Sequence, residues 1–139
     1  MLVPRAGTEE SQKLLEDQEI LVVEDDVAIR RLVKKVLLRS GYRVEEAADG
    51  TEAVLKLGVR DYQVIILDLM MPNLDGFAFM NTLSENEPSR LKNVIVTSAA
   101  SPHIIKERIR GTPFDLLPKP FDINDLIARV RACISAQSR

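Results

Sequence analysis

Acidic, hydroxyl and amine side chains stand directly behind short apolar runs in this chain. Glu24, Asp25 and Asp26 follow ILVV (20–23), and Asp68 follows VIIL (64–67). Thr97 and Ser98 close VIVTS (94–98), and Lys119 lies between Pro118 and Pro120, just past FDLL (114–117). A carboxylate at the end of a buried strand is either a plain terminator or a reactive group held at the mouth of a sheet. If the four runs are parallel strands, all these groups collect on one edge. Three carboxylates brought together repel one another and shift their pKa values up unless a cation joins them. Mg2+ suits such a set, because it prefers oxygen ligands and typically uses one or two carboxylates plus phosphate oxygens. Such an ion would neutralise the set, with Glu24 reached through water and the Met70 backbone carbonyl, two residues beyond Asp68, adding an oxygen. Asp68 would then serve as a nucleophile toward a phosphoryl group. Lys119 would supply a point charge for the phosphate oxygens, and Ser98 or Thr97 a hydroxyl donor.

Bulk properties bound the remaining choices. The chain has 139 residues, 45% hydrophobic and 29% charged, with a formal net charge of -2. That length fits one domain with a sizeable core, and that charge points to no direct nucleic-acid or membrane surface. One cysteine, Cys133, excludes an internal disulfide and a cysteine-based zinc cluster, and His103 is the single histidine. No apolar run is long enough to span a bilayer and no signal-peptide core opens the chain, so the expected location is cytoplasmic.

The elements that must position these groups alternate. After ILVV a helical period places Ile29, Leu32, Val33, Val36 and Leu37 on one face and Arg30, Arg31, Lys34 and Lys35 on the other, a solvated face. Asp26 is the expected cap of this helix, and Gly41 follows its end. RVEEA (43–47) reads as a strand, and Asp49 with Glu52 as a capping box before a helix presenting Ala53, Val54 and Leu57. VIIL is the third strand, and a third helix from near Asp75 carries Phe77, Met80 and Leu83. Residues 84–93 read as a polar loop before VIVTS. Ser101 and Pro102 open a fourth helix with a thin stripe of Ile105 and Ile109, Ile104 at its rim and Gly111 closing it. FDLL is the fifth strand, and Asp122 caps a fifth helix with Ile123, Leu126, Ile127, Val130 and Ile134 at helical spacing. Five strands alternating with five helices call for a doubly wound α/β fold with a parallel sheet. Residues 1–18 read as an N-terminal arm with a short helical turn in 9–18. Its LVPR resembles a protease-cleavage remnant, so the arm is partly tag-derived on this reading. The domain covers 19–136, and 137–139 form a tail.

Several residues have plainer readings. His103, in the first turn of a helix with no acidic neighbour beside it, is expected at the surface. Cys133 falls near the apolar stripe of the last helix. No G-x-G-x-x-G or G-x-x-x-x-G-K-[ST] follows the first strand, which argues against a nucleotide-binding domain.

The strings LVVEDD, VIILDLMMPNLDG, TSA and LPKPF, in that order over residues 19–136, resemble the motifs of the response-regulator receiver domain of two-component signalling. The resemblance implies a flavodoxin-like five-stranded parallel sheet of order 2-1-3-4-5. It implies a phosphoprotein that takes a phosphoryl group from a sensor histidine kinase or a phosphotransfer protein onto Asp68. Glu24 and Asp25 then match the acidic pair, with Asp25 the direct Mg2+ ligand, and Lys119 matches the phosphate-binding lysine before a cis Pro120. Counting from Val94 favours Ser98 over Thr97 as the switch hydroxyl, with Ala99 as the usual small residue after it. Two departures stand out: Leu116 occupies a position that is often aromatic, and Pro118 stiffens the loop before Lys119. The expected output is a changed surface of the fourth helix, fifth strand and fifth helix, with Ile104, Glu107, Arg108 and Arg129 as contacts. It would act on a downstream protein target, an output domain or a second copy in a phosphorylation-dependent homodimer. The chain stops just after the fifth helix, so it reads as a stand-alone receiver or one cut from a larger regulator or hybrid kinase. The alternative is a Mg2+-dependent phosphohydrolase with an aspartyl-phosphate intermediate. Met70 stands where such an enzyme would carry a second aspartate, so no enzyme activity is expected beyond the chain's own phosphorylation and dephosphorylation. Apolar Met70 and Ala100 offer little to orient water, and slow dephosphorylation is expected.

Overall fold

A computed structural model of the chain describes residues 18–71 and 75–137. The expected arm and its helical turn lie outside the described residues except for Gln18, whose carbonyl accepts the Arg43 amide at 3.1 Å. Of the expected tail, only Gln137 is described.

Five strands, β1 (Glu19–Val23), β2 (Arg43–Ala47), β3 (Val64–Asp68), β4 (Val94–Ser98) and β5 (Asp115–Pro118), form one sheet. All pairings are parallel and the spatial order is β2-β1-β3-β4-β5. The α-helices are α1 (Val27–Arg39), α2 (Gly50–Leu57), α3 (Gly76–Asn86), α4 (Pro102–Arg108) and α5 (Ile123–Gln137). This is the doubly wound, flavodoxin-like arrangement that the alternation and the motifs implied. No helix among the described residues is long and apolar enough to cross a membrane.

Strand alternation splits the core in two. Leu21, Val23, Ile65, Leu67, Val94 and Val96 pack with Ala53 and Leu57 of α2, Phe77, Phe79, Met80 and Leu83 of α3, and Ile105 of α4. Ile20, Val22, Val64, Ile66, Ile95 and Leu117 pack with Val33 and Leu37 of α1 and Leu126, Ile127, Val130 and Cys133 of α5. Burial on both faces explains why β1, β3 and β4 are continuous apolar runs. The edge strand β2 is more exposed and carries Arg43, Glu45 and Glu46, charges that discourage pairing with another chain.

Local chemistry fixes the helix ends. Asp26, Asp49, Asp75 and Ser101 accept the amides of Ile29, Glu52, Ala78 and Ile104. Glu52 reaches back to the Ala48 amide at 3.0 Å, one residue before the cap. Asp122 accepts the Asn124 amide at the start of α5. Gly41 follows α1 at φ 97°, a conformation that favours glycine.

The structure corrects four expectations. Residues 84–93 are not a polar loop: α3 runs to Asn86 and a 3-10 turn covers Pro88–Asn93, because Leu91 is drawn into the core. Leu32 and Val54, placed on buried helix faces by periodicity, are half exposed. Strand β5 runs one residue later than FDLL, because the Phe114 amide is bonded to the Val94 carbonyl before the ladder begins. His103 does have an acidic neighbour, Glu107 Oε1 at 3.0 Å one helical turn on, and both are exposed.

Candidate functional site

The carboxyl ends of β1, β3, β4 and β5 meet at one edge. Glu24 is carried on from β1 by a bond from its amide to the Ala47 carbonyl, at 3.0 Å. Asp68 is the last residue of β3. Lys119 follows β5, with its amide donating to the Ser98 carbonyl at 2.8 Å, so the ladder itself delivers the lysine. The Lys119–Pro120 peptide is cis.

Glu24 and Asp68 are buried, at 4% and 3% exposure, whereas Asp25 faces solvent. The Lys119 ammonium lies 2.5 Å from Glu24 Oε1 and 3.4 Å from Asp68 Oδ2, and so closes a pair spanning 95 residues of chain. Burial pushes the Glu24 carboxyl up to about 7, with a further push from Asp68, and the contact with Lys119 only partly offsets this. Burial alone would lower the Lys119 amine. Its bond to Glu24 and the charges of Asp68 and Glu24 outweigh that and raise it.

One carboxylate oxygen from each of Glu24, Asp25 and Asp68 lies within 4.8 Å of the others. The donor set is entirely hard oxygen, with one exposed member and two buried ones. It fits a small divalent cation such as Mg2+, which keeps waters on its open side. The Met70 amide donates to Asp68 Oδ1 at 3.1 Å, and the Met70 side chain is exposed.

Both candidate hydroxyls are buried. Thr97 is the register partner of Asp68 across the β3–β4 ladder, whereas Ser98 pairs with Pro118 of β5. Ser98 Oγ accepts the Ala100 amide at 3.1 Å and so shapes the turn after β4. Leu116 is partly buried against the α2–α3–α4 face, and its carbonyl accepts from Arg129.

Profile and structural comparisons agree with this fold. The profile of the response regulator receiver domain matches residues 20–131. The chain belongs to the response-regulator receiver-domain family. This receiver domain is 37% identical over 122 residues to the response regulator MprA of Mycobacterium sp. strain KMS, covering 86% of this chain and 51% of that protein. The chain thus spans about half the length of the curated relatives it matches. It is 32% identical to the receiver domain of the Francisella response regulator 1452, with a TM-score of 0.77 over 86% of this chain and 98% of that one. It is 30% identical to the signal receiver domain of a histidine kinase from Syntrophus aciditrophicus, with a TM-score of 0.77 over 88% of this chain and 93% of that one.

Two contributors to the receiver site escaped the sequence reading. Arg30, sorted onto the solvated face of α1, turns back, and its Nη1 donates to the Glu24 carbonyl at 2.8 Å. Gly76 lies against the strand end: a Cβ built there would come 2.4 Å from the Asp68 carbonyl oxygen and 2.3 Å from Leu69 Cα. The only trace of Arg30 in the sequence is its place six residues after Glu24, within reach of the turn it closes.

Proposed function

We propose that this receiver domain accepts a phosphoryl group on Asp68 and signals through its altered surface. The observation that carries the reading is the Lys119 ammonium seated between buried Glu24 and Asp68 at the mouth of the sheet. An Asp68 carboxylate oxygen attacks phosphorus, and the new O–P bond forms as the donor's P–N bond to a histidine ring breaks, the bond pair returning to the ring. Asp25, Asp68 and the Met70 carbonyl would hold Mg2+, with Glu24 through water, and the bound ion would supply positive charge against the phosphoryl oxygens. Lys119 then turns to those oxygens, and Ser98, with Thr97 as the alternative, donates a hydroxyl to them. Hydrolysis reverses the state: water attacks phosphorus, the acyl O–P bond breaks and inorganic phosphate leaves.

The donor is a sensor histidine kinase or a phosphotransfer protein of the cytoplasm. The recipient of the signal is an output domain, a separate protein or a second phosphorylated copy. A phosphohydrolase reading has less support, because Met70 offers no acid to a leaving group.

Acetyl phosphate with Mg2+ tests the assignment. The parent chain should gain one phosphoryl group by intact mass and Asp68→Asn none; labelling retained in the Asn variant would contradict it. Ser98→Ala and Thr97→Ala, compared for surface change after labelling, separate the two hydroxyls. Repeated turnover of a phosphomonoester would favour the hydrolase instead.

A further inference from the structure

We infer that Arg30 is a positioning residue for the acidic turn, tethering Glu24 and Asp25 so that they present a formed cation site. This rests on the reading of those carboxylates as Mg2+ ligands.

The turn between β1 and α1 carries two of the three clustered carboxylates within three residues; the Glu24 amide is tied to Ala47 and its side chain to Lys119, which leaves the carbonyl side of the turn to be held. Asp26 is spent on capping α1, its Oδ1 accepting the Ile29 amide at 3.0 Å. The Asp26 amide reaches Glu24 Oε2 only at 3.4 Å. The carbonyl of Glu24 is taken by Arg30 Nη1 at 2.8 Å. The other side of the same guanidinium is anchored, with Nε 3.4 Å from Glu46 Oε1 on β2. Lys34 holds the second oxygen of Glu46 at 3.1 Å. The Arg30 side chain is only 16% exposed, so the fork is largely withdrawn from water. Arg30 thus staples the turn to two elements at once, through a planar donor set that lysine cannot reproduce.

A charge argument and a tether argument give opposite signs. Arginine beside an acidic cluster repels an incoming cation, so as a mere charge its removal would tighten Mg2+ binding and lysine would change nothing. As a tether, its removal leaves the turn free to splay and weakens binding. Lysine, which keeps the charge but not the fork, fails as well.

Calorimetric titration of the unphosphorylated full chain with Mg2+ reads the sign directly. We expect the Kd of Arg30→Met and Arg30→Lys to rise about tenfold, as for other groups that orient metal ligands. Glu46→Gln, which loosens the anchor, should show a smaller rise in the same direction. Amides of residues 24–27 in the metal-free chain should exchange faster in all three variants. A parent-like Kd in Arg30→Lys, or tighter binding in Arg30→Met, overturns the tether. A parent chain that binds no Mg2+ overturns the ligand reading and this inference together, and is told apart by the parent titration alone.

Discussion

Glu24 is a carboxyl kept in two minds by its surroundings. Its pKa is raised from 4.5 to about 7, so the folded chain holds a proton that the unfolded chain has released. The stabilising contribution of that proton is therefore complete below about 4.5 and is lost as pH rises through about 7. In metal-free buffer, chemical denaturation of Glu24→Gln should show a stability gain over the parent that grows from about pH 5 to about pH 8. A gain that shrank with pH would refute this sign. Lys119, whose pKa is also raised, carries the same sign in a higher window: its contribution is complete below about 10.5 and is lost only as pH rises beyond that. Lys119→Met leaves two buried carboxylates without their cation and should cost about 3 kcal/mol near neutral pH. The same variant should uncouple phosphorylation from the surface change, because nothing then links the phosphoryl oxygens to β5. Gly76→Ala tests close packing at the site: the added methyl must displace backbone at Asp68 and Leu69, and a loss of at least about 2 kcal/mol in urea unfolding is expected.

At the level of elements, α4 is the shortest of the α-helices and the most thinly anchored. It spans seven residues and buries only Ile105. Its C-terminal side is tied to α3 by contacts of another kind: Arg108 stacks 3.9 Å from the Phe77 ring centroid, and the Arg110 amide donates to Asn81 at 2.9 Å. Phe77 directly follows the glycine pressed against Asp68, which gives the strand end a short packed route to α4. We expect amide exchange in α4 to be faster than in the other helices, and faster still in Phe77→Leu, which stays apolar but loses ring volume together with the stacking, the latter worth about 0.5–1 kcal/mol. Slow exchange in α4 would show that these side contacts, rather than the thin stripe, govern it. The thin stripe itself was legible, because Ile105 and Ile109 are visibly few. The ties were not, since stacking between Arg108 and Phe77 has no signature in spacing. The same holds for Leu91, whose single apolar side chain in a polar stretch converts an expected loop into a 3-10 turn.

For the molecule as a whole, strand identity and the edge on which Asp68, Glu24 and Lys119 meet were readable, because buried parallel strands are short apolar runs and the polar groups stand just past them. Strand order came with the motifs and not with periodicity. Arg30 was hidden because a helical period sorts residues by face and says nothing about a long side chain folding back. Phosphorylation is expected to change the α4–β5–α5 surface, where Arg129 is engaged by Asp115 at 2.7 Å and by Asp125 at 3.2 Å. Sedimentation with and without acetyl phosphate checks whether that surface recruits a second copy; an unchanged coefficient in fully labelled protein would exclude self-association as the output.

Strand order has a mechanical corollary. The carboxylates ride on β1 and β3, each gripped by neighbours on both sides, while the amine that reaches across to them is mounted on β5, which in this sheet leans on β4 alone. Shifting β5 disturbs one ladder, and shifting β1 or β3 disturbs two. A pull exerted at the acid end is therefore expected to move the outer strand before the inner ones.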